Sequence, residues 1–219
     1  MIFEDRESAG EFLAELLSDY LNNWERPIVL AIPRGGIPVA YKVSEILHIP
    51  MSVVVVRKLG LPWNEEAGFG AIDPDGSVYL DEELVNYAKL DAETIRSIAE
   101  KELSELRRRE KKFLPEGYPE LSHREVVIVD DGIATGYTAI ASSGFARRRG
   151  AREVSVAVPV CPESSGGKFK EYADRFLCYH TSREMSFAVG MFYRDFHQLS
   201  DEEALSYIEK AKKKGLFEP

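Results

Sequence analysis

The feature that most constrains the fold is a run of four apolar residues, Val126 to Val129, followed directly by two aspartates. A short β-branched run of this kind is typical of a strand that is buried on both faces. Strands buried on both faces occur in parallel sheets covered by helices. Asp130 and Asp131 should therefore lie at the carboxyl end of a central strand, where open α/β sheets bind their ligands.

Similar apolar runs occur elsewhere in the chain, separated by segments with helical periodicity. We predict strands over residues 28–32, 52–56, 125–129, 154–160 and 175–180. We predict helices over residues 7–24, 92–113 and 136–149, with one from the turn at 33–36 to about residue 48 and one more between the last two strands. The alternation of strands and helices predicts an α/β fold with a doubly wound parallel sheet.

The remaining segments predict additions to a single domain of 219 residues. The core should span about residues 26–180, with a helical insertion at about 81–113. A hood should come from residues 1–25, from 181–219, or from both. Residues 58–77 are rich in glycine and proline, which predicts a long loop or a small hairpin.

Charge and hydropathy narrow the class of protein. The net charge of −9 disfavours nucleic acid as a partner. No apolar run approaches the roughly 20 residues that span a bilayer, and the first residues lack the pattern of a signal peptide, so we expect no membrane partner and a cytoplasmic location. Two basic clusters, 107–112 and 147–149, are interpreted as solvated helix ends.

The two cysteines, Cys161 and Cys178, match no metal-binding spacing. Each falls in or at the end of a predicted strand, so we expect buried free thiols. A disulfide between them is the alternative.

The turn after the central strand has the chemistry of a phosphate site. Gly132 and Gly136 allow a tight turn that presents N–H groups, with the N-terminus of the next helix behind them. Thr135 and Thr138 add hydroxyl donors. The adjacent carboxylate pair would repel a phosphate unless a neutral or cationic group lay between them. A ribose diol or a magnesium ion suits that place.

The thirteen residues from Val126 to Thr138 resemble the signature of the type I phosphoribosyltransferases, and the resemblance extends over about residues 26–180. It implies that Asp130 and Asp131 bind the 2′- and 3′-hydroxyls of phosphoribosyl pyrophosphate and lie near Mg²⁺, directly or through water. It also implies a set of residues around the 5′-phosphate, which are Gly132, Ile133, Ala134, Thr135, Gly136, Tyr137 and Thr138.

The same resemblance gives a role to the turn Pro33-Arg34-Gly35-Gly36, which follows the first predicted strand. In the family this turn binds pyrophosphate through backbone amides, often beside a cis non-proline peptide. Gly35 and Gly36 would permit that geometry, and Arg34 would add positive charge.

Arg57 and Lys58 follow the second predicted strand, where the family has a mobile loop that closes over the reaction. The resemblance implies that these cations reach the pyrophosphate and that residues 58–71 close over the site. Glu65 and Glu66 in this loop are interpreted as ordinary surface acids, and a role as a base would require closure.

The resemblance does not identify the acceptor. The 6-oxopurine enzymes of the family have an aspartate where this chain has Ala134, so we expect no efficient use of hypoxanthine or guanine. The aromatic segment 187–197 could stack on an acceptor base, although such clusters also form cores.

We therefore predict a phosphoribosyltransferase that moves the phosphoribosyl group from phosphoribosyl pyrophosphate to a small-molecule acceptor, a nucleobase in the first instance. We expect it to form a homo-oligomer. The alternative is a regulatory protein that binds phosphoribosyl pyrophosphate without transferring it. The cations Arg34, Arg57 and Lys58 favour the enzyme.

Overall fold

A computed structural model of the chain describes residues 2–21, 23–184 and 186–219, and for Glu66 the backbone alone. The strands are β1 (Pro27–Ala31), β2 (Met51–Val53), β3 (Arg57–Leu61), β4 (Asn64–Ile72), β5 (Val78–Leu80), β6 (Glu125–Val129), β7 (Glu153–Pro162) and β8 (Arg175–Ser182). The helices are α1 (Arg6–Leu21), α2 (Gly36–Leu47), α3 (Glu82–Tyr87), α4 (Ala92–Phe113), α5 (Tyr137–Arg148) and α6 (Asp201–Lys213).

The main sheet has five parallel strands in the order β2-β1-β6-β7-β8. Alternate residues of its central strand β6 face opposite sides, as a pleated strand requires. Val127 and Val129 pack in an apolar cluster with α1, α2 and α6, whereas Val126 and Ile128 pack in a second cluster that includes Phe145 of α5. Helices thus cover both faces, and the predicted doubly wound α/β fold is confirmed.

The core extends beyond residues 26–180. Leu13 and Leu17 of α1 and Ile208 of α6 are fully buried in the same cluster as β1 and β6. Both terminal helices are therefore layers of the main core, and their ends reach the site described below. Within the described residues, no helix is long and apolar enough to cross a membrane.

Residues 57–80, which include the predicted loop or hairpin, form a second sheet of three antiparallel strands in the order β3-β4-β5. The strands β3 and β4 form a hairpin that turns at Pro62 and Trp63, and Leu61 pairs with Asn64 across the turn. This small sheet lies against α4 and α5. The segment 81–113, which was predicted to be helical, contains α3 and α4, with Asp91 as the N-cap of α4.

Three predicted elements differ in extent. The first helix ends at Leu21 instead of residue 24, and asparagines, which are poor helix formers, follow in the sequence. The strand predicted over 52–56 is β2, which ends at Val53 because the chain then leaves the sheet to begin β3. The helix predicted before β8 is a 3₁₀ segment, Glu163–Phe169, in which Gly166 and Gly167 disfavour an α-helix.

Cys161 and Cys178 are joined in a disulfide between the neighbouring strands β7 and β8. Their Cα atoms are 6.3 Å apart, which is within the range that a disulfide spans. The expectation of free thiols is therefore wrong. The pairing depends on strand adjacency in the sheet, which the spacing of the two cysteines does not reveal.

The basic cluster 147–149 is not simply a solvated helix end. The side chain of Arg148 pairs with the fully buried Asp73, and Arg149 pairs with Asp75 at 3.0 Å. Arg147 pairs with Asp174 at 2.5 Å. Two of these pairs join the C-terminal end of α5 to the β4–β5 turn and so attach the small sheet to the main domain.

Candidate active site

The turn after β1 and the acidic pair after β6 are in direct contact. A Cβ atom on Gly35 would lie 2.0 Å from Oδ2 of Asp131, so a larger residue at this position would displace that carboxylate. The peptide bond between Pro33 and Arg34 is cis, which agrees with the geometry that the family resemblance implied. Gly36 begins α2 directly after this turn. The two predicted segments thus meet at one edge of the sheet.

The two aspartates lie in unequal electrostatic surroundings. Oδ2 of Asp131 accepts a hydrogen bond from Nε of Arg6 at 2.8 Å, and the hydroxyl of Tyr193 donates to its backbone carbonyl at 2.5 Å. Oδ1 of Asp130 accepts from the backbone N–H of Asp131 at 2.9 Å. Among the described residues, Asp130 has no ion-pair partner.

The pKa values of the pair follow from this difference. Burial raises the pKa of Asp130 well above its ordinary value, and the charge of Asp131 raises it further. Burial also raises the pKa of Asp131, but the guanidinium of Arg6 opposes that shift. Asp130 is therefore the carboxylate that gains most from a hydroxyl donor or a cation supplied by a ligand.

Arg6 is a site residue that the sequence did not reveal. It is 8% exposed, donates a second hydrogen bond to the carbonyl of His197 at 3.1 Å, and lies 4.0 Å from the ring centroid of Phe196. It is the first residue of α1, and only the packing of α1 beside the sheet brings it to Asp131, 125 positions later.

The turn after the acidic pair leaves a continuous set of backbone amides without partners. Among the described residues, none accepts a hydrogen bond from the backbone N–H groups of residues 134–138. Gly136 has a φ of +89° and is the N-cap of α5, so these amides lie at the N-terminus of that helix. Unpartnered amides at a helix N-terminus form an anion site. We call residues 134–138 the amide loop.

The predicted residues of this turn divide into two groups. Ile133 is buried, and its N–H donates to the carbonyl of Val160 at 2.9 Å, so its amide supports the loop and is not free for a ligand. Gly132 lies beneath Val189 of the aromatic segment. The exposed or half-buried members are Ala134, Thr135, Tyr137 and Thr138. Lys168, which the sequence did not suggest, donates to the carbonyl of Thr135 at 3.3 Å.

The turn after β1 and the start of β3 contribute to a cluster of cations held by carboxylates. Nη1 of Arg34 is 3.1 Å from Asp201 at the start of α6, and Lys112 of α4 is 2.7 Å from the other oxygen of the same carboxylate. Nη2 of Arg57 is 2.6 Å from Glu102 of α4. The basic cluster 107–112 is therefore not wholly a solvated helix end, because Lys112 shares a partner with Arg34.

Lys58 lines a cleft of about 390 Å³ between the β3–β4 hairpin and α4, together with Arg57, Lys101 and Glu102. Glu65 pairs with Lys101 at 3.2 Å on the exposed side of the hairpin, as an ordinary surface acid does. The side chain of Glu66 lies outside the described residues. The predicted cations are thus at the hairpin, and Arg57 is linked to α4 by its ion pair with Glu102.

The aromatic segment 187–197 belongs partly to the core and partly to the rim of the site. Phe192 and Tyr193 are buried in a cluster with Phe3, while Phe196 is partly buried and contacts Arg6. The hydroxyl of Tyr193 donates a hydrogen bond to the backbone carbonyl of Asp131, so the segment helps to hold the acidic pair in position.

The fold and the site together define the class of this protein. It is an α/β protein that has an amide loop, an acidic pair and a cation cluster at the carboxyl edge of its sheet. The sequence matches the family described as "Phosphoribosyl transferase domain" over residues 4–194, and the chain belongs to this family. Its relatives include proteins from two strains of Mycobacterium tuberculosis, which are 42% identical over 212 residues. Their own naming as phosphoribosyl transferases is provisional. The match covers 96% of this chain, which spans about half (47%) of each relative's length.

Two solved structures show the same architecture. The crystal structure of TT1426 from Thermus thermophilus has a TM-score of 0.76 and 34% identity, and the match covers 96% of this chain and 99% of that one. A hypothetical protein from Neisseria gonorrhoeae with bound ppGpp has a TM-score of 0.53 at 15% identity, with 96% of each chain covered. The second likeness concerns the fold alone.

Proposed function

We propose that this chain transfers the 5-phosphoribosyl group from phosphoribosyl pyrophosphate to a small-molecule acceptor and releases pyrophosphate. The observation that carries the proposal is the order of chemical groups along the sheet edge. The unpartnered amides of residues 134–138 suit the 5′-phosphate, and Asp130 and Asp131 suit the ribose diol. Arg34 and Arg57, beyond the acidic pair, suit the pyrophosphate.

The reaction is a displacement at the anomeric carbon. A nitrogen of the acceptor forms a bond to C1, the bond from C1 to the pyrophosphate oxygen breaks, and pyrophosphate leaves with that electron pair. The proton of the acceptor nitrogen passes to solvent or to a base. Because positive charge develops on the ribose, the chain contributes chiefly positioning and charge stabilisation. Asp130 supplies negative charge on the ribose side, and the arginines stabilise the leaving group.

Magnesium fits this site as an ion that arrives with the pyrophosphate. Among the described residues, no group of three or more histidine, cysteine or acidic side chains could hold a metal by itself. Asp130 nevertheless offers a half-buried carboxylate that forms no ion pair with any described residue, and Mg²⁺ commonly takes one or two carboxylates together with phosphate oxygens and water. When bound, the ion would screen the charge of the pyrophosphate. Asp130, and Asp131 through water, are the residues that would hold it.

The proposed acceptor is a nucleobase other than hypoxanthine or guanine. Ala134 is exposed at the edge of the amide loop, and its methyl group cannot take a proton from a purine nitrogen. A missing general base costs about 10²–10⁴-fold in rate. Glu65 is held on the outer side of the hairpin by Lys101 and does not replace it in this conformation.

One observation favours the alternative, a protein that binds phosphoribosyl pyrophosphate without transferring it. Arg6 already occupies one oxygen of Asp131, which is one of the two carboxylates proposed for the ribose. In a sensor, the ligand would break the ion pair between Arg6 and Asp131, and this change would be the signal. An enzyme would keep the ion pair and bind the ribose through the remaining carboxylate oxygens.

A steady-state assay with phosphoribosyl pyrophosphate, Mg²⁺ and a panel of bases tests the proposal. We expect turnover with adenine, uracil or orotate, and little with hypoxanthine or guanine. If hypoxanthine or guanine gives the highest kcat/KM, the interpretation of Ala134 is wrong. If no base reacts while phosphoribosyl pyrophosphate raises the melting temperature with concentration, the alternative replaces the enzyme.

A further inference from the structure

One face of the insertion helix α4 is directed at the proposed pyrophosphate region. Glu102 on this face pairs with Arg57 at 2.6 Å, and Lys112 pairs with Asp201, the partner of Arg34. With about 100° of turn per residue, positions 102, 109 and 112 lie within about 80° of one another around the helix. Arg109 therefore lies on the same face, between two points where α4 is tied to the cations of the site.

Arg109 differs from the other cations of this cluster because it has no carboxylate of its own. Arg34, Arg57 and Lys112 are all ion-paired, whereas Arg109 forms no hydrogen bond or ion pair with any described residue. It is half-buried. Burial lowers the pKa of Arg109, the charges of Arg57 and Arg34 lower it further, and the charge of Asp201 offsets only part of the shift. Its guanidinium is thus held near two other guanidinium groups without a paired carboxylate.

The neighbouring arginines of α4 show what an ordinary surface position looks like on this helix. Arg107 pairs with Glu110 at 2.8 Å and Arg108 pairs with Glu105 at 2.9 Å, each within one turn, and both arginines are exposed. A solvated helix face satisfies its cations locally in this way. Arg109 does not follow that pattern, although it is adjacent in sequence.

Among the described residues, the four cations Arg34, Arg57, Arg109 and Lys112 have three carboxylate partners, which are Glu102, Asp201 and the exposed Glu202 at 3.7 Å from Lys112. Arg109 is the cation that these carboxylates leave without a pair, so the cluster can offer it to an anion. Guanidinium groups bind phosphate oxygens through directed, paired hydrogen bonds. A diphosphate provides both the charge and the oxygens.

We propose that Arg109 binds the pyrophosphate group of phosphoribosyl pyrophosphate, so that the insertion helix α4 forms one wall of the active site. The proposal rests on the proposed function, whose site it completes. Glu102 and Asp201 orient Arg57 and Arg34, and Arg109 supplies the cation that remains available to the ligand. Because α4 is a helix of 22 residues tied down at both contact points, this cation is in place before the ligand arrives.

Calorimetric titration separates this role from a structural one. Inorganic pyrophosphate with Mg²⁺ and, separately, ribose 5-phosphate are titrated into the wild-type chain, Arg109→Gln, Arg109→Lys and the matched control Arg108→Gln. We expect Arg109→Gln to weaken pyrophosphate binding at least tenfold, with the affinity for ribose 5-phosphate unchanged within twofold. Arg109→Lys should recover part of the lost affinity, because lysine restores the positive charge but not the paired N–H donors of the guanidinium group. Arg108→Gln should change neither affinity.

Other results have distinct meanings. If Arg109→Gln and Arg108→Gln both leave pyrophosphate affinity within twofold of wild type, the role of Arg109 is refuted. The proposed function is then decided separately, by the steady-state assay with the panel of bases. If Arg109→Gln weakens both ligands equally and lowers the melting temperature, Arg109 is a structural residue and the inference is again refuted. If the wild-type chain binds neither ligand nor phosphoribosyl pyrophosphate, both the proposed function and the inference fail.

Discussion

The two regions proposed to bind phosphate groups are built in opposite ways. The amide loop, residues 134–138, offers main-chain N–H groups from one uninterrupted segment whose side chains carry no charge. The region around Arg34 and Arg57 offers charged side chains from separate elements, each oriented by a carboxylate of α4 or α6. The first region selects its ligand by backbone geometry and the second by charge. They should therefore respond differently to substitution, the amide loop to changes of backbone geometry and the second region to changes of charge.

The largest expected effect is at Asp130, which lies between the two regions. We expect Asp130→Asn to lower kcat by about 10²–10³-fold, the usual size for loss of one preorganised electrostatic group. The melting temperature should be unchanged or higher, because the variant removes the repulsion between the carboxylates of Asp130 and Asp131. Steady-state kinetics and thermal unfolding measure the two effects.

A matched control for this variant is Asp19→Asn, at an exposed position of α1, which should alter neither rate nor stability. Near-normal turnover of Asp130→Asn would remove the acidic pair from the mechanism. The single variant is preferable to a double variant that also replaces Asp131, because Asp131 is the partner of the buried Arg6.

The next effect concerns Arg6, which ties the acidic pair to α1. Replacing one member of a buried ion pair leaves the other uncompensated, so Arg6→Leu should lower the free energy of unfolding by about 3 kcal/mol. Denaturant unfolding measures this loss. Arg6→Leu combined with Asp131→Asn should be less destabilised than the sum of the two single variants. Strict additivity would mean that the contact contributes nothing to stability.

A smaller effect should separate the two regions directly. Gly136 has a φ of +89°, and a Cβ atom there would lie 3.1 Å from Phe169. Gly136→Val should therefore distort the amide loop and weaken binding of ribose 5-phosphate about tenfold or more, while pyrophosphate binding through the side-chain region is retained. Calorimetry with each ligand measures the separation.

The control for the backbone conformation is Gly117→Val, since Gly117 has a similar φ of +97° with no atom within 4 Å of an added Cβ. It should destabilise the chain by about 1–2 kcal/mol without changing affinity for either ligand. Equal loss of both ligands in Gly136→Val would show that the two regions are not independent.

The smallest effect is expected in the β3–β4 hairpin. The sequence predicts that residues 58–71 close over the site, but most of this segment is paired in the small sheet. We therefore expect phosphoribosyl pyrophosphate to slow amide exchange a few-fold near the exposed tip at Trp63, which is 66% exposed. Exchange at the β4–β5 pairs, such as Gly70 with Leu80, should not change. Uniform slowing along the hairpin would favour closure of the whole segment.

The central strand, the turn after it and the fold class could be predicted because they depend on neighbours in sequence. The run from Val126 to Val129 determines a strand buried on both faces, and the observed β6 is buried at every residue. Gly136 and the helix that follows it determine a tight turn with amides at a helix N-terminus, which is the observed geometry. Main-chain geometry of this kind is decided within a few residues by steric constraints on φ and ψ.

Arg6, Arg109 and the Cys161–Cys178 disulfide could not be predicted in the same way. Arg6 contacts a carboxylate 125 positions away, and the cysteines meet because β7 and β8 are neighbours in the sheet. Three consecutive arginines, Arg107 to Arg109, cannot be told apart in the sequence. In the structure, Arg107 and Arg108 are exposed and have local partners, whereas Arg109 faces the cation cluster. Which side of a helix meets the rest of the chain is decided by the packing of apolar residues such as Leu106 and Phe113. The amide loop was therefore determined by the sequence alone, whereas the tertiary structure decided which charged side chains surround it.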